Sequence, residues 1–340
     1  NIAALTAGTV TATIDGNVAQ LDDLAASGTS ATCAFTIVVD DVATVTQGKA
    51  IVDATSATTV DFSAAGLTGA LATYIGSGVN TVNASLTAIK NKDADVNIII
   101  TPAIANISED EVTQINNVAA ATTGVVTATI SGDHDTQSGL STAGTDALTI
   151  TISDAITTDE FAALDAKTSG SITLTSGLSD TAAKMAPAGT KSANFNAAVA
   201  APNTGIAITI TGTDATVAEI NAIAGATNGV VTATVEAGNY AAQNSLTTDN
   251  NDIISVTVND EITVTQFDTL DGKTGGDITV SGGVSGTAAE FASTAGVATA
   301  SLTALNAQNT NFAVTTSDAT NIAQYDAIDN VNGNGSITVA

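Results

Sequence analysis

The chain has 340 residues, 44% of them hydrophobic, which is enough to bury a core and argues against disorder. Its 34 acidic residues face only seven lysines and no arginine, and the net charge of −27 excludes nucleic acid as a partner. No apolar run approaches the ~20 residues of a membrane span, so no membrane insertion is expected. With no tryptophan and few other aromatic residues, the core is expected to be thin, which is typical of repetitive stacks.

Short runs of alternating apolar residues recur along the chain and predict β-strands. Most follow the preceding one after about 22–25 residues, which is roughly one turn of a solenoid. They begin near Val10, Phe35, Val60, Val96, Val126, Leu148, Ile172, Ile206, Val231, Ile254, Ile278, Phe312 and Ile337.

Short amphipathic helices are predicted between many of these strands, for example where Val112, Ile115 and Val118 share one face. Five helix starts fit the capping box, in which two residues three positions apart satisfy each other's free backbone amides. The pairs are Ser108 with Glu111, Thr157 with Glu160, Thr216 with Glu219, Thr263 with Gln266, and Thr287 with Glu290.

The helix ends also share a pattern. A glycine stands between the helix and the next strand, where a left-handed residue is expected to close the last helical turn. These glycines are Gly124, Gly170, Gly229, Gly276 and Gly335. Lys167 and Lys273 lie near two of these ends, where a cation is favourable against the helix dipole.

Longer segments repeat at a spacing of about 105 residues. Residues 112–131 return as residues 217–236, and residues 161–173 return as residues 267–279. Two segments without a helix pattern, 132–147 and 237–252, recur at the same spacing and are expected to project as polar loops. The predicted superrepeats are 1–107, 108–213 and 214–318, with the start of a further one at 319–340.

The order of strand, short turn, helix, glycine and strand is that of a parallel crossover unit, which can only stack side by side with its neighbours. The sequence therefore predicts an α/β solenoid: stacked parallel β-strands with short helices on one side and about 22–25 residues per turn. A β-solenoid with few helices is the alternative.

Residues that carry catalysis are scarce. His134 is the only histidine and stands in a segment that reads as a solvated loop, and Cys33 is the only cysteine. In the predicted fold they lie about five turns apart, so they cannot form a nucleophilic pair. A single cysteine also permits no disulfide framework and no thiolate metal cage. We predict no catalytic residue, no cofactor and no enzymatic activity.

Calcium is the one ligand that the acidic residues favour. Carboxylates cluster in predicted loops at Asp133 and Asp135 and again at Asp249 and Asp252, and oxygen ligands in loops are what Ca²⁺ prefers. Neither an EF-hand nor a glycine-rich calcium nonapeptide is present. The alternative is that these are solvated turn residues with local hydrogen bonds.

Threonine dominates the polar side of the predicted strands. If Val126, Ala128 and Ile130 point inward, alternate threonines point outward and would align into ladders across stacked strands. The ladder residues are Thr127, Thr129, Thr149, Thr151, Thr173, Thr209, Thr211, Thr232 and Thr234. Such a face predicts ice binding, adhesion or glycosylation, or only the suitability of threonine for exposed strands.

Two recurring phrases, residues 115–130 (INNVAAATTGVVTATI) and 164–173 (LDAKTSGSIT), resemble repeats of giant cell-surface proteins of marine cyanobacteria, including those needed for swimming without flagella. The resemblance implies export, attachment to the cell surface or matrix, and a passive mechanical role. It brings no catalytic residues to transfer.

We therefore expect a non-enzymatic structural repeat module of a secreted cell-surface or extracellular filament protein. It would continue in a longer chain or associate with itself end to end, because exposed terminal strands carry unpaired edges. The alternative is an adhesin or ice-binding module that uses the threonine ladders or the acidic loops.

Overall fold

The fold is seen in a computed structural model that describes residues 8–26, 33–62, 65–78, 81–309 and 311–340. The chain divides into two compact units. Unit 1 comprises Asn1–Asp154 and Asp159–Thr175, and unit 2 comprises Ala155–Thr158 and Ser176–Ala340. Both units combine short helices with sheets whose strands pair in parallel, so the prediction of an α/β fold is confirmed.

Unit 1 contains nine strands in the described residues: β1 (Val10–Gly16), β2 (Cys33–Val39), β3 (Ala43–Thr44), β4 (Val60–Asp61), β5 (Leu67–Gly69), β6 (Ile98–Ile100), β7 (Val126–Gly132), β8 (Ala147–Ile152) and β9 (Ile172–Leu174). The helices are α1 (Val18–Ala26), α2 (Val45–Asp53), α3 (Ala84–Lys90), α4 (Glu109–Ala120), α5 (His134–Gln137) and α6 (Thr158–Asp165), the last of which begins at the boundary with unit 2. The nine strands form two sheets, with strand orders β1-β2-β4 and β3-β5-β6-β7-β8-β9.

The described part of unit 2 contains a further nine strands: β10 (Leu178–Thr181), β11 (Ile208–Thr211), β12 (Val231–Thr234), β13 (Ile253–Val258), β14 (Ile262–Thr263), β15 (Ile278–Val280), β16 (Val284–Gly286), β17 (Val314–Thr316) and β18 (Ile337–Thr338). Its helices are α7 (Ala182–Met185), α8 (Ala193–Ala198), α9 (Val217–Ala224), α10 (Tyr240–Gln243), α11 (Val264–Asp271), α12 (Ala288–Phe291), α13 (Ala300–Gln308) and α14 (Ile322–Asn332). The sheet orders are β10-β11-β12-β13-β15 and β14-β16-β17-β18.

The core lies between the helices and one face of each sheet. Alternate residues of β7 are fully buried, namely Val126, Ala128 and Ile130, while the threonines between them are exposed. The same alternation holds in β8, β12 and β13. Aromatic rings complete the core at few positions, such as Tyr74 and Phe267. The core is therefore mainly valine, isoleucine, leucine and alanine, as the composition predicts.

Every predicted strand is present within two residues of its expected start. Five strands escaped prediction, namely β3, β5, β10, β14 and β16. They have only two to four residues. They are the first strands of three of the four sheets and are followed there by strands of the predicted series.

Four of the five predicted capping boxes are confirmed, at Ser108, Thr216, Thr263 and Thr287. The structure adds three more in the described residues: Asn17 with Gln20, Thr44 with Gln47, and Asn321 with Gln324. The box at Thr157 and Glu160 stays a prediction, although α6 does begin beside it.

The expectation of left-handed glycines at the helix ends is wrong. None of the five glycines from Gly124 to Gly335 is among the described residues with positive φ. Glycine is required for another reason: a Cβ at Gly170 would press into the carbonyl oxygen of Leu148 on the neighbouring strand, and the other four meet backbone carbonyls in the same way. The glycines therefore permit close approach of backbones.

The two segments expected to project as polar loops each contain a short helix. In residues 132–147 this helix is α5, with Asp133 as its N-cap, and in residues 237–252 it is α10, with Asn239 as its N-cap. Gln137 and Gln243 are buried on these helices, and Leu140 and Leu246 are buried just after them. The prediction of projecting loops is therefore wrong, because four-residue helices are too short to show helical periodicity.

Within the part of the chain that the structure describes, no helix combines the length and the apolar character needed to cross a bilayer.

Candidate functional site

The threonines of the predicted ladders lie on the outer face of the sheets. Thr127, Thr129, Thr209 and Thr211 are exposed, and Thr149, Thr151, Thr173, Thr232 and Thr234 are partly exposed. Each of these threonines is more exposed than the buried residues that alternate with it along its strand.

The register places some of these threonines side by side. Thr129 pairs with Thr149 and Thr151 pairs with Thr173 in unit 1, and Thr209 pairs with Thr232 in unit 2. The rows are short because other residue types interrupt them. Thr127 lies between Ile99 and Ala147, and the row through Thr232 continues to Ile253.

A second group of threonines, which sequence reasoning missed, lies between a helix and the next strand and connects that strand to the preceding one. We call Thr55, Thr122, Thr168, Thr227 and Thr274 the bridging threonines. Each hydroxyl donates to a backbone carbonyl 20 to 26 residues earlier and accepts from the N–H two residues later. In four of the five, that later residue is a close-approach glycine.

Thr168 shows the full arrangement. Its Oγ1 accepts from the N–H of Leu148 at 2.8 Å, donates to the carbonyl of the same residue at 2.8 Å and accepts from Gly170 N–H at 2.8 Å. The side chain is buried. Thr274 makes the same three bonds with Ile254 and Gly276 in unit 2. The threonine-x-glycine pattern was the signal that could have revealed them.

Carboxylates and amides make further connections that recur 105 or 106 residues apart. Asp146 accepts from Val126 N–H at 2.8 Å, as Asp252 does from Val231 N–H. The amide of Asn116 spans Gly139 and Ser141, and that of Asn221 spans Ser245 and Thr247. Within each unit, the same kinds of hydrogen bond therefore join equivalent elements.

Aspartates also cap helices from a distance. Asp154 accepts from the N–H of His134 at the start of α5, and Asp260 accepts from Tyr240 at the start of α10. In both cases the aspartate follows the next long strand. A negative charge at a helix N-terminus is favourable because the first N–H groups have no partner inside the helix.

Lysines act at the opposite helix ends. Lys167 donates to the carbonyl of Ser138 at 2.7 Å, and Lys273 donates to those of Asn244 and Leu246 at 2.6 and 2.7 Å. Ser138 and Asn244 are the C-caps of α5 and α10. These lysines therefore bind the C-termini of short preceding helices, and partial burial lowers the pKa of Lys167.

The predicted calcium ligands have local partners. Asp133 caps α5 by accepting from Thr136 N–H at 2.8 Å, which lowers the pKa of Asp133, and Asp135 on the same helix is exposed. Asp249 accepts from Asn251 N–H, and Asp252 is held by Val231. Across the described ranges, no three His, Cys, Asp or Glu side chains are grouped to hold a metal ion. Calcium binding stays a prediction.

The cysteine and the histidine, the two side chains that could react, lie on different elements: Cys33 begins β2 and His134 begins α5. Cys33 is buried at the start of β2, as expected of a small apolar residue. His134 was predicted to be solvated, but its side chain is only 12% exposed, with Nδ1 3.9 Å from a carboxylate oxygen of Glu160. The first residue of α5 is thus partly enclosed by α6.

Two kinds of groove accompany these elements. Equivalent polar grooves of about 200 and 310 Å³ lie beside Asp146 in unit 1 and Asp252 in unit 2. A wider one of about 530 Å³ opens at Thr216, Val217 and Gln243. It lies at the start of α9, which lacks the first turn present in the longer α4. The amide of Gln243 donates to Glu236 beside it.

Comparison with known proteins gives no relative: no family model, curated protein or solved structure matches the chain.

Proposed function

We propose that the chain is a non-enzymatic structural repeat module of a secreted cell-surface or extracellular filament protein. The observation that supports this most is the use of its polar side chains. Bridging threonines, aspartates, amides and lysines are occupied in joining successive strands and helices, at equivalent positions 105 or 106 residues apart. A chain that uses its polar groups to hold neighbouring turns together is suited to bearing load.

We further propose that the turns form an α/β solenoid within each unit and that the sequence superrepeats are its structural repeats. Parallel pairing supports this, since strands such as β6, β7, β8 and β9 follow one another both in the chain and in the sheet. In a solenoid each turn contacts mainly its neighbours, so bonds between residues about one turn apart carry the stability.

Surface location is the testable core of the proposal. Antibodies raised against the chain should label intact cells of the source organism or their matrix, and proteinase K added outside should remove the signal. A cytosolic protein of similar size is the matched control and should resist the protease. Labelling that requires permeabilised cells would contradict the proposal.

The second candidate is an adhesin or ice-binding module, supported by in-register threonine pairs, of which three join two residues of the predicted ladders and others lie elsewhere in the described strands. Ice recrystallisation and glycan-array binding test it. If it holds, Thr151→Tyr should abolish the signal because it disrupts the Thr151–Thr173 pair. Thr127→Tyr, between Ile99 and Ala147, should have a smaller effect. Equal signals from both variants and the unaltered protein would refute a role for the pairs.

A further inference from the structure

Unit 1 and unit 2 differ where the chain enters the helices α4 and α9. In unit 1, Ile104 bridges to β7, and three more residues, the last of which is Ile107, precede the N-cap Ser108 of α4. In unit 2, Ala215 makes the equivalent bridge just after β12, and the N-cap Thr216 of α9 follows at once. The helix α4 has 12 residues and α9 has eight. Unit 2 therefore lacks both the connecting residues and the first turn of the helix.

The connecting residues fill a definite place in unit 1. The N–H of Ile107 donates to the carbonyl of Ser131 at 2.8 Å, and its buried side chain lies against Gly132 at the end of β7. Val112, in the first turn of α4, is buried beside Gly139, which follows α5. A short peptide segment that carries a β-branched aliphatic side chain therefore closes the space between α4, the end of β7 and α5.

In unit 2 the corresponding space is the groove of about 530 Å³ between α9 and α10. One wall is Val217, the counterpart of Val112, and it is partly exposed where Val112 is buried. The other side is formed by Ala237, the counterpart of Gly132, and by Gln243. A concave site of this size, with mainly apolar walls and a few polar groups, is typical of ligand-binding sites.

The groove also offers a hydrogen-bond acceptor at the equivalent position. Glu236 corresponds to Ser131, and its backbone carbonyl accepts from the side-chain amide of Gln243 at 2.7 Å. A carbonyl oxygen has two lone pairs, so Glu236 can accept a second N–H, as Ser131 accepts that of Ile107. The side chain of Glu236 is exposed at the rim, and the chain carries a net charge of −27, so the groove favours an uncharged or basic ligand over an acidic one.

From this comparison we infer that the groove in unit 2 is a docking site for a short peptide segment of a partner protein. A β-branched aliphatic residue of that segment takes the place that Ile107 takes in unit 1, and its N–H donates to the carbonyl of Glu236. The segment is uncharged or basic. Unit 1 fills the equivalent space with its own residues, so the site belongs to unit 2. The inference goes beyond the proposed structural function and does not depend on it.

Titration of the isotope-labelled full chain with a synthetic peptide, followed by NMR, tests the inference. The probe is the acetylated and amidated peptide KANISK, in which residues 105–108 of this chain stand between two lysines. Its addition should shift the amide signals of Ala237, Gly238 and Gln243 in a saturable manner. The same peptide with Ile107→Ala has equal charge but lacks the branched side chain, and it should bind at least about tenfold more weakly.

Two variants of the protein place the binding in the groove. Ala242→Leu puts a larger side chain into the groove, whereas Ala241→Leu makes the same change on the neighbouring residue of α10, outside the groove. Both alanines are exposed, so both variants should fold. Ala242→Leu should abolish the shifts and Ala241→Leu should retain them. Absence of saturable shifts in the unaltered protein, equal affinity for the two peptides, or equal effects of the two variants would each overturn the inference. Surface labelling of cells is independent of these outcomes, so the proposed function can stand or fall separately.

Discussion

Replacing the buried bridging threonine Thr168 by valine should destabilise unit 1 strongly, although the two side chains have almost the same shape. The change removes a hydroxyl that makes three hydrogen bonds of 2.8 Å and leaves the N–H groups of Leu148 and Gly170 without that acceptor. Because an unsatisfied buried donor costs about 1–3 kcal/mol, the expected loss is about 2–4 kcal/mol.

Two further variants separate the hydroxyl from packing. Thr168→Ser keeps the hydroxyl and loses one methyl group, so it should cost only about 1 kcal/mol. Thr173→Val makes the same chemical change five residues later on the outer face and should lie within about 0.5 kcal/mol of the unaltered protein.

Urea unfolding followed by circular dichroism measures the free energy of unfolding, and hydrogen exchange of the Leu148 amide reports the site directly, even if the two units unfold separately. Thr274→Val should reproduce the effect in unit 2, where the same three bonds are present. If Thr168→Val were no more harmful than Thr173→Val, the bridging role would be refuted.

Three other changes test the same construction. Gly170→Ala should lower the free energy of unfolding in urea by several kcal/mol because the new Cβ would meet the Leu148 carbonyl. Gly78→Ala, with open space around it, should be neutral. Equal effects of the two changes would contradict the close-approach role of Gly170. Burial raises the pKa of Asp93 to about 6, helped by its hydrogen bond with Asp95 and opposed by the Phe62 N–H. The folded state therefore prefers protonated Asp93, and the free energy of unfolding should fall by about 2 kcal/mol as pH rises from 4 to 7. Asp93→Asn should reduce this fall, whereas the exposed control Asp165→Asn should not. Deletion of residues 127–231 joins equivalent points of β7 and β12 and should leave a cooperatively folding protein. Deletion of residues 127–221 joins points that are not equivalent and should not. Unfolding of both variants would argue against the repeat proposal.

The parallel α/β class and most strand positions were predictable because alternating apolar residues record burial directly. In β7, the sequence VTATI is read correctly as inward valine, alanine and isoleucine with outward threonine. The capping boxes were predictable for a similar reason, since Ser108 and Glu111 need only local geometry to bond each other. Local chemistry thus fixed these elements.

The candidate site was less predictable because threonine serves two purposes. Thr173 is outward and Thr168 is buried, yet the residues around them are similar, and only the strand 20 residues earlier distinguishes them. The glycines were misread for the same reason: a helix end predicts positive φ, but the constraint on Gly170 comes from a carbonyl of another strand. Contacts with a strand about 20 residues away leave no mark within the segment itself.

The bridging threonines also explain how so few large side chains suffice. An aliphatic core of modest size leaves the junctions between neighbouring strands to be stabilised by other means. A buried hydroxyl that bonds three backbone groups does this while occupying little volume. The hydroxyl also fixes the position of one strand relative to the other. It reaches the N–H and the carbonyl of Leu148 only when the close-approach glycine allows the two backbones to meet. Threonine-x-glycine at the end of a helix should therefore predict, in similar sequences, where one strand is joined to a strand before it.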